Sequence, residues 1–283
     1  MKIHNLMKTI TSLFLLITSF GHLSAKTDTW PVYAFQNGVH FKTVKERVKV
    51  LKELGYDGIG SAKLSQSDLP LPQRLKLYDE AGLKLFSFYV GGKLGPKGHS
   101  YGKEISQAIK DLKGRDTILE LFVQGSKKAN TDEQAVTFVR EIADQAKESG
   151  LRIVLYPHAG FYIDTLGAAV RVARKCEREN VGVMFNLCHY LKVEPKTDLK
   201  AALTAAKPLL WQISTCGAEK GGHSWGQLIQ TLDRGSYDQA ALFQMLRELG
   251  FKGNVGFQCY AIGGDSRENL KRSIGTWNKL SLK

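Results

Sequence analysis

Two short patterns hold the residues best suited to chemistry: Tyr156-Pro157-His158 and Asn186-Leu187-Cys188-His189. Each follows a β-branched run and ends on a histidine, whose ordinary pKa lets it take or give a proton near neutral pH. One histidine after a strand is usually structural. Two on neighbouring strands make His158 and His189 the candidates for acid/base catalysis or direct ligand contact. The other runs end in Gln36-Asn37-Gly38, Ser61-Ala62-Lys63, Tyr89 with Gly91-Gly92-Lys93, Gln124-Gly125-Ser126, Gln212 to Cys216, and Gln258-Cys259-Tyr260. The set is rich in amides, hydroxyls and aromatics and poor in carboxylates. Amides such as Asn37, Asn186, Gln212 and Gln258 both donate and accept, as vicinal hydroxyls require, and Tyr89, Tyr156, Trp211 and Tyr260 offer flat faces for a sugar ring to stack on. A neutral, hydroxyl-rich small molecule is the expected ligand. Lys63 and Glu120 are weaker candidates, and His223 and Trp225 sit in a loop, Gly217 to Gly226, long enough to serve as a lid.

These residues need a scaffold that brings successive strand ends together. The β-rich runs are Val32 to Phe35, Gly58 to Ser61, Leu83 to Val90, Thr117 to Val123, Arg152 to Tyr156, Val181 to Phe185, Leu209 to Ser214 and Asn254 to Gln258. Between them, Val44 to Leu54, Glu133 to Lys147 and Gln239 to Leu249 place apolar residues at helical spacing. Gly55, Gly82, Gly150 and Gly250 each close a helix before a strand, in the left-handed position glycine adopts most readily. Their separations approximate one, two and three units of roughly 33 residues, the scale of a βαβ repeat. Eight such units predict an α/β protein folded as a single (β/α)8 TIM barrel over residues 26–283. An open doubly wound sheet is the rival, but no GxGxxG follows the first strand.

Residues 1–25 read as a signal peptide: Lys2 and Lys8, an apolar run from Ile10 to Phe20, then Leu23-Ser24-Ala25. A periplasmic or secreted protein is expected, with no stable membrane insertion after cleavage. The 283-residue chain carries a formal charge of +13. Its lysines and arginines are dispersed among acidic partners, as in Lys42, Lys45, Arg47, Lys49 and Lys52, so a solvated surface is expected and no nucleic-acid partner. Cys176, Cys188, Cys216 and Cys259 show no zinc-enclosing spacing; in an exported chain they allow one or two disulfides, with three pairings open. P-loop, GxSxG and HExxH patterns are missing, and no cofactor is expected. Asp238 is explained as a helix N-cap. The oligomeric state is not set by the sequence.

Phe35-Gln36-Asn37-Gly38, Gly55-Tyr56-Asp57-Gly58-Ile59-Gly60, Tyr156 to Tyr162, Phe185 to His189 and Gly217-Ala218-Glu219 resemble an exported branch of the xylose isomerase-like TIM-barrel superfamily of sugar phosphate isomerases and epimerases. That superfamily also includes endonuclease IV. The resemblance implies a divalent metal bound after strands five to eight by glutamate, aspartate, histidine and glutamate. Here Tyr156 and Asn186 stand at the first two positions, with His158 and His189 kept; Gln212 or Ser214 falls at the third and Gln258 at the fourth. Hard divalent ions want anionic oxygen ligands, so no metal is expected. The sequence therefore predicts a sugar isomerase or epimerase working by proton transfer, with a catalytically silent carbohydrate-binding protein as the alternative.

Overall fold

The structure, a computed structural model, describes residues 30–35, 39–62 and 68–281. The leader, Asn37 and Lys63 lie outside the described residues. Eight parallel strands close into a barrel: β1 (Val32–Phe35), β2 (Gly58–Ala62), β3 (Lys84–Gly95), β5 (Ile118–Gln124), β6 (Arg152–Leu155), β7 (Val181–Asn186), β8 (Leu210–Thr215) and β9 (Asn254–Phe257). Each pairs in parallel with its neighbour, β9 returns to β1, and β2 pairs with β3. This is the (β/α)8 arrangement that the eight runs predict.

Period-two alternation separates the barrel interior from the helix layer. On β5, Ile118 and Phe122 pack inside with Tyr156 and Met184, and Glu120 meets Tyr33 across the barrel. Leu119, Leu121 and Val123 face outward into the main core beneath the helices. The interior has room for Tyr33 because its neighbours have no side chain. A Cβ on Gly60 would stand 2.6 Å from the Tyr33 ring, and one on Gly256 2.5 Å from it.

The outer layer comprises α1 (Val44–Leu54), α2 (Leu71–Ala81), α3 (Glu104–Asp111), α4 (Asp132–Glu148), α5 (Leu166–Cys176), α6 (Leu187–Val193), α7 (Leu199–Ala206), α8 (Trp225–Leu228), α9 (Gln239–Glu248) and α10 (Ser266–Ser281). Thr43, Thr165, Asp198 and Asp238 cap α1, α5, α7 and α9 by accepting a first-turn backbone N–H. Gly55 and Gly82 close α1 and α2 at φ +82° and +67°. Trp30, packed against Phe243, Phe251 and Trp277, ties the chain before β1 to the last units. No helix among the described residues is long and apolar enough to cross a membrane. All four cysteines are free and buried.

One element departs from expectation. β3 continues past Val90 to Gly95 and folds back as β4 (Gly98–Tyr101), an antiparallel hairpin outside the barrel. Gly91 and Gly92 permit this, since a Cβ would stand 2.3 Å from the Phe122 carbonyl at the first and 2.7 Å from the Phe138 ring at the second.

Candidate active site

At the carboxyl ends of the strands, Phe35, Tyr89, Tyr156, His158, His189, Trp225, Ile229, Gln258 and Tyr260 enclose a cavity of about 190 Å³. This is the face on which barrels of this type carry their chemistry. None of these side chains is a carboxylate, lysine or arginine. The volume lies below the range of sites for drug-sized ligands and suits one small ring.

The histidine pair lies on one side. The two rings are 4.1 Å apart, and His158 also stacks on Phe161 at 3.9 Å. Their partners settle their tautomers. His158 Nδ1 is 2.9 Å from the Ala159 carbonyl, which can only accept, so Nδ1 carries the proton. His189 Nδ1 accepts the Ala159 backbone N–H at 3.2 Å, so in the neutral ring its proton is on Nε2. One residue thus orients both imidazoles, and oppositely: His158 presents a lone pair at Nε2 and His189 an N–H. Burial lowers the His158 pKa, although the Ala159 carbonyl opposes the shift. Burial, then the neighbouring His158, push His189 down to about 3. Both rings are neutral at neutral pH.

Behind the histidines are two tyrosine-centred networks. Tyr156 OH accepts from Asn186 Nδ2 at 2.6 Å and from Gln258 Nε2 at 3.3 Å. Gln258 cannot be turned the other way, because its Oε1 accepts the backbone N–H groups of Cys259 and Tyr260 at 3.1 Å each. Asn186 Oδ1 accepts from the Cys188 thiol. Nearer the strand N-termini, Gln212 Nε2 donates to Tyr33 OH at 2.7 Å, and Tyr33 donates to Glu120 Oε1 at 2.8 Å. Glu120 is 1 % exposed, and burial raises its pKa to about 7, with the Tyr33 hydrogen bond and nearby Ser87 pulling it back. Its Oε2, Ser87 Oγ and Gln212 Oε1 are buried without a well-formed hydrogen bond.

The structure therefore gathers Tyr89, Tyr156, His158, His189, Gln258 and Tyr260 around one cavity. Asn186 supports Tyr156 from behind. Gln212 is fully buried and belongs to the lower network, while Asn37 is outside the described residues. Trp211 lies away from the mouth, with the Arg152 guanidinium 5.7 Å from its ring centre. Tyr260 is 48 % exposed and forms the rim. Trp225, from the glycine-bearing loop, stands edge-on to His189 at 5.3 Å and closes one wall. Phe35, Phe161 and Ile229 are not among the candidates the sequence offers; Phe161 enters through its stacking on His158.

The model of the xylose isomerase-like TIM barrel family matches residues 48–280. The chain belongs to that family. No curated protein matches its sequence. Among solved structures it is similar to the IolI protein with a bound zinc atom (TM-score 0.71, 16% identity, covering 89% of this chain and 98% of that one). It is also similar to the 3-keto-D-glucoside 4-epimerase of E. coli (0.69, 16%, 88% and 99%) and to a D-allulose 3-epimerase from Methylomonas sp. in complex with D-allulose (0.70, 15%, 89% and 97%). At these identities the likeness is one of fold.

The family resemblance implies a metal ion, and the side chains at its ligand positions do not fit one. Asn186 and Gln258 turn their NH2 groups, not their carbonyls, toward Tyr156. An ion there would meet amide hydrogens and a neutral phenol where anionic oxygen is needed. Among the described residues no group of three His, Cys, Asp or Glu side chains is placed to hold a metal ion.

Proposed function

We propose that this chain is an exported sugar isomerase or epimerase that moves a proton next to a carbonyl group, without a divalent metal. The observation that carries this reading is the histidine pair: two neutral imidazoles, 4.1 Å apart, with opposite tautomers in one uncharged cavity. A base and a hydrogen-bond donor are what enolisation of a sugar requires. His158 Nε2 takes the proton from the carbon beside the carbonyl, the C–H electron pair forms the enolate double bond, and the carbonyl pair moves onto oxygen. His189 Nε2–H donates to that oxygen. With its pKa pushed to about 3, His189 holds its hydrogen as a neutral donor and is a poor second acid. In an epimerisation the enolate turns its opposite face to His158, which returns the proton to the same carbon; in an isomerisation His158 returns it to the adjacent carbon while the remaining hydroxyl proton passes from one substrate oxygen to the other.

Tyr89, Trp225 and Tyr260 around the cavity suit the apolar face of a sugar ring, and the lack of charge on its lining suits an unphosphorylated one. Solved structures of sugar epimerases with this fold support the same substrate class. Export rests on the lysine-flanked apolar leader and is checked by N-terminal sequencing of the mature protein, expected to begin near Lys26. Solvent deuterium exchange into a panel of keto sugars tests the chemistry: the parent should incorporate label, and His158→Gln should lower the rate by about 10²-fold or more. The second reading, a silent carbohydrate-binding protein, is favoured by the replacement of every ligand carboxylate. Tight sugar binding with no label incorporated by the parent would establish it in place of catalysis.

A further inference from the structure

The ends of β6, β7 and β9 converge on one atom, the phenol oxygen of Tyr156. Asn186 and Gln258 both donate to it, and the orientation of Gln258 is fixed by two backbone N–H groups. A phenol oxygen accepts about two hydrogen bonds and donates one. Its accepting capacity is therefore filled, while among the described residues its own hydrogen has no acceptor. Tyr33 makes the contrast: it also receives an amide, but its hydroxyl is committed to Glu120. Tyr156 lines the cavity, 5.7 Å ring to ring from His189.

Two N–H groups donating to a phenol oxygen draw electron density from it and strengthen its O–H as a donor. We propose that the Tyr156 hydroxyl, backed by Asn186 and Gln258, is a catalytic residue that hydrogen-bonds the substrate carbonyl and steadies the enolate oxygen, the part that the family resemblance assigns to a divalent ion. This rests on the proton-transfer reading above. The Tyr156 hydroxyl keeps its hydrogen throughout: His158 takes the carbon-bound proton and returns it, and the proton that changes oxygens in an isomerisation stays on the substrate. Burial, reinforced by neighbouring Tyr89, pushes the Tyr156 pKa well above its ordinary value, which suits a donor that must not ionise. The amides then have a definite use, since they face the phenol and leave its hydrogen for the ligand.

Tyr156→Phe removes the hydrogen and keeps the ring. Deuterium exchange should fall about 10²-fold or more, the usual cost of removing one oxyanion donor, with the loss in kcat and little change in KM. A second readout does not depend on turnover. Methyl 3-keto-glucoside labelled with 13C at the carbonyl should show its bound resonance upfield in Tyr156→Phe relative to the parent, because a hydrogen bond to the carbonyl is lost. Gln258→Met, which keeps the phenol but takes one N–H away from it, should slow exchange by about tenfold. If Tyr156→Phe exchanges within about threefold of the parent, or if the bound carbonyl resonance is the same in both, the proposal is overturned even where His158→Gln abolishes exchange. A parent that exchanges nothing yet shows the resonance difference would sink the proton-transfer reading and leave the hydrogen bond standing.

Discussion

Two tyrosines inside the barrel, Tyr33 and Tyr156, are built alike and end differently. Each phenol oxygen receives an amide N–H from a strand-borne side chain: Gln212 for Tyr33, Asn186 and Gln258 for Tyr156. Below, Tyr33 gives its hydrogen to the Glu120 carboxyl, so that hydroxyl is already committed. Above, no carboxylate among the described residues accepts from Tyr156, and its hydrogen is the one proposed to meet a ligand. Amides in place of acids do more than remove charge. They turn an accepting site into a donating one, which is the difference between holding a cation and polarising a carbonyl.

The most drastic way to break the comparison is to restore the acids. A Tyr156→Glu, Asn186→Asp, Gln258→Glu protein brings three carboxylates to one point and should bind about one equivalent of Mn2+ or Zn2+ by calorimetry, where the parent shows no saturable binding. A parent that binds an equivalent itself would end the metal-free reading.

Next in size is the exchange of roles between the two hydroxyls. Tyr33→Phe should leave sugar exchange within about threefold of the parent, against the loss of about 10²-fold or more for Tyr156→Phe. Its cost should be to stability, about 1–3 kcal/mol in denaturant titration, because Glu120 and Gln212 lose their shared partner. Equal catalytic damage from the two substitutions would abolish the distinction.

The smallest effect is a pH dependence whose sign separates the layers. Glu120, raised to about 7 from 4.5, holds its proton in the folded state after the unfolded chain has lost it. Its contribution to stability is therefore full below about pH 4.5 and is lost as pH rises through 7. His189, lowered to about 3 from 6.5, acts oppositely: its contribution is full above about pH 6.5 and is lost as pH falls toward 3. Glu120→Gln should thus gain on the order of 2 kcal/mol over the parent between pH 5 and pH 8, read from unfolding midpoints at each pH. A constant difference across that range would mean that Glu120 is ionised throughout.

Where periodicity and capping agreed, the elements could be read directly from the sequence. The run read as Val44 to Leu54 is the helix Val44–Leu54, Glu133 to Lys147 falls within Asp132–Glu148, and Asp238 caps Gln239–Glu248 through its bond to Ala241. The β3–β4 hairpin was hidden because Gly91 and Gly92 read as a strand end, whereas their missing Cβ atoms are what let the strand run on between Phe122 and Phe138. At the site, histidines and amides could be named but not placed in depth. Gln212 and Gln258 look equivalent on paper, yet one is beneath Tyr33 and the other braces Tyr156, because the stagger between neighbouring strands sets the layer and period-two spacing does not encode it. The opposed tautomers depend on a single residue, Ala159, whose backbone faces both rings.

The fit of Tyr33 between Gly60 and Gly256 also constrains how this chain can change with time. While the tyrosine is present, a methyl group at either glycine collides with its ring. Once the tyrosine has been lost to a smaller residue, the same methyl group would fill the void left behind. Substitutions at 33 and 256 are therefore ordered: alanine at 256 is open only to descendants that have already given up Tyr33, and a descendant that accepts it has lost the way back, whereas at 60 the Ser87 hydroxyl, also 2.6 Å from an added Cβ, would have to move as well.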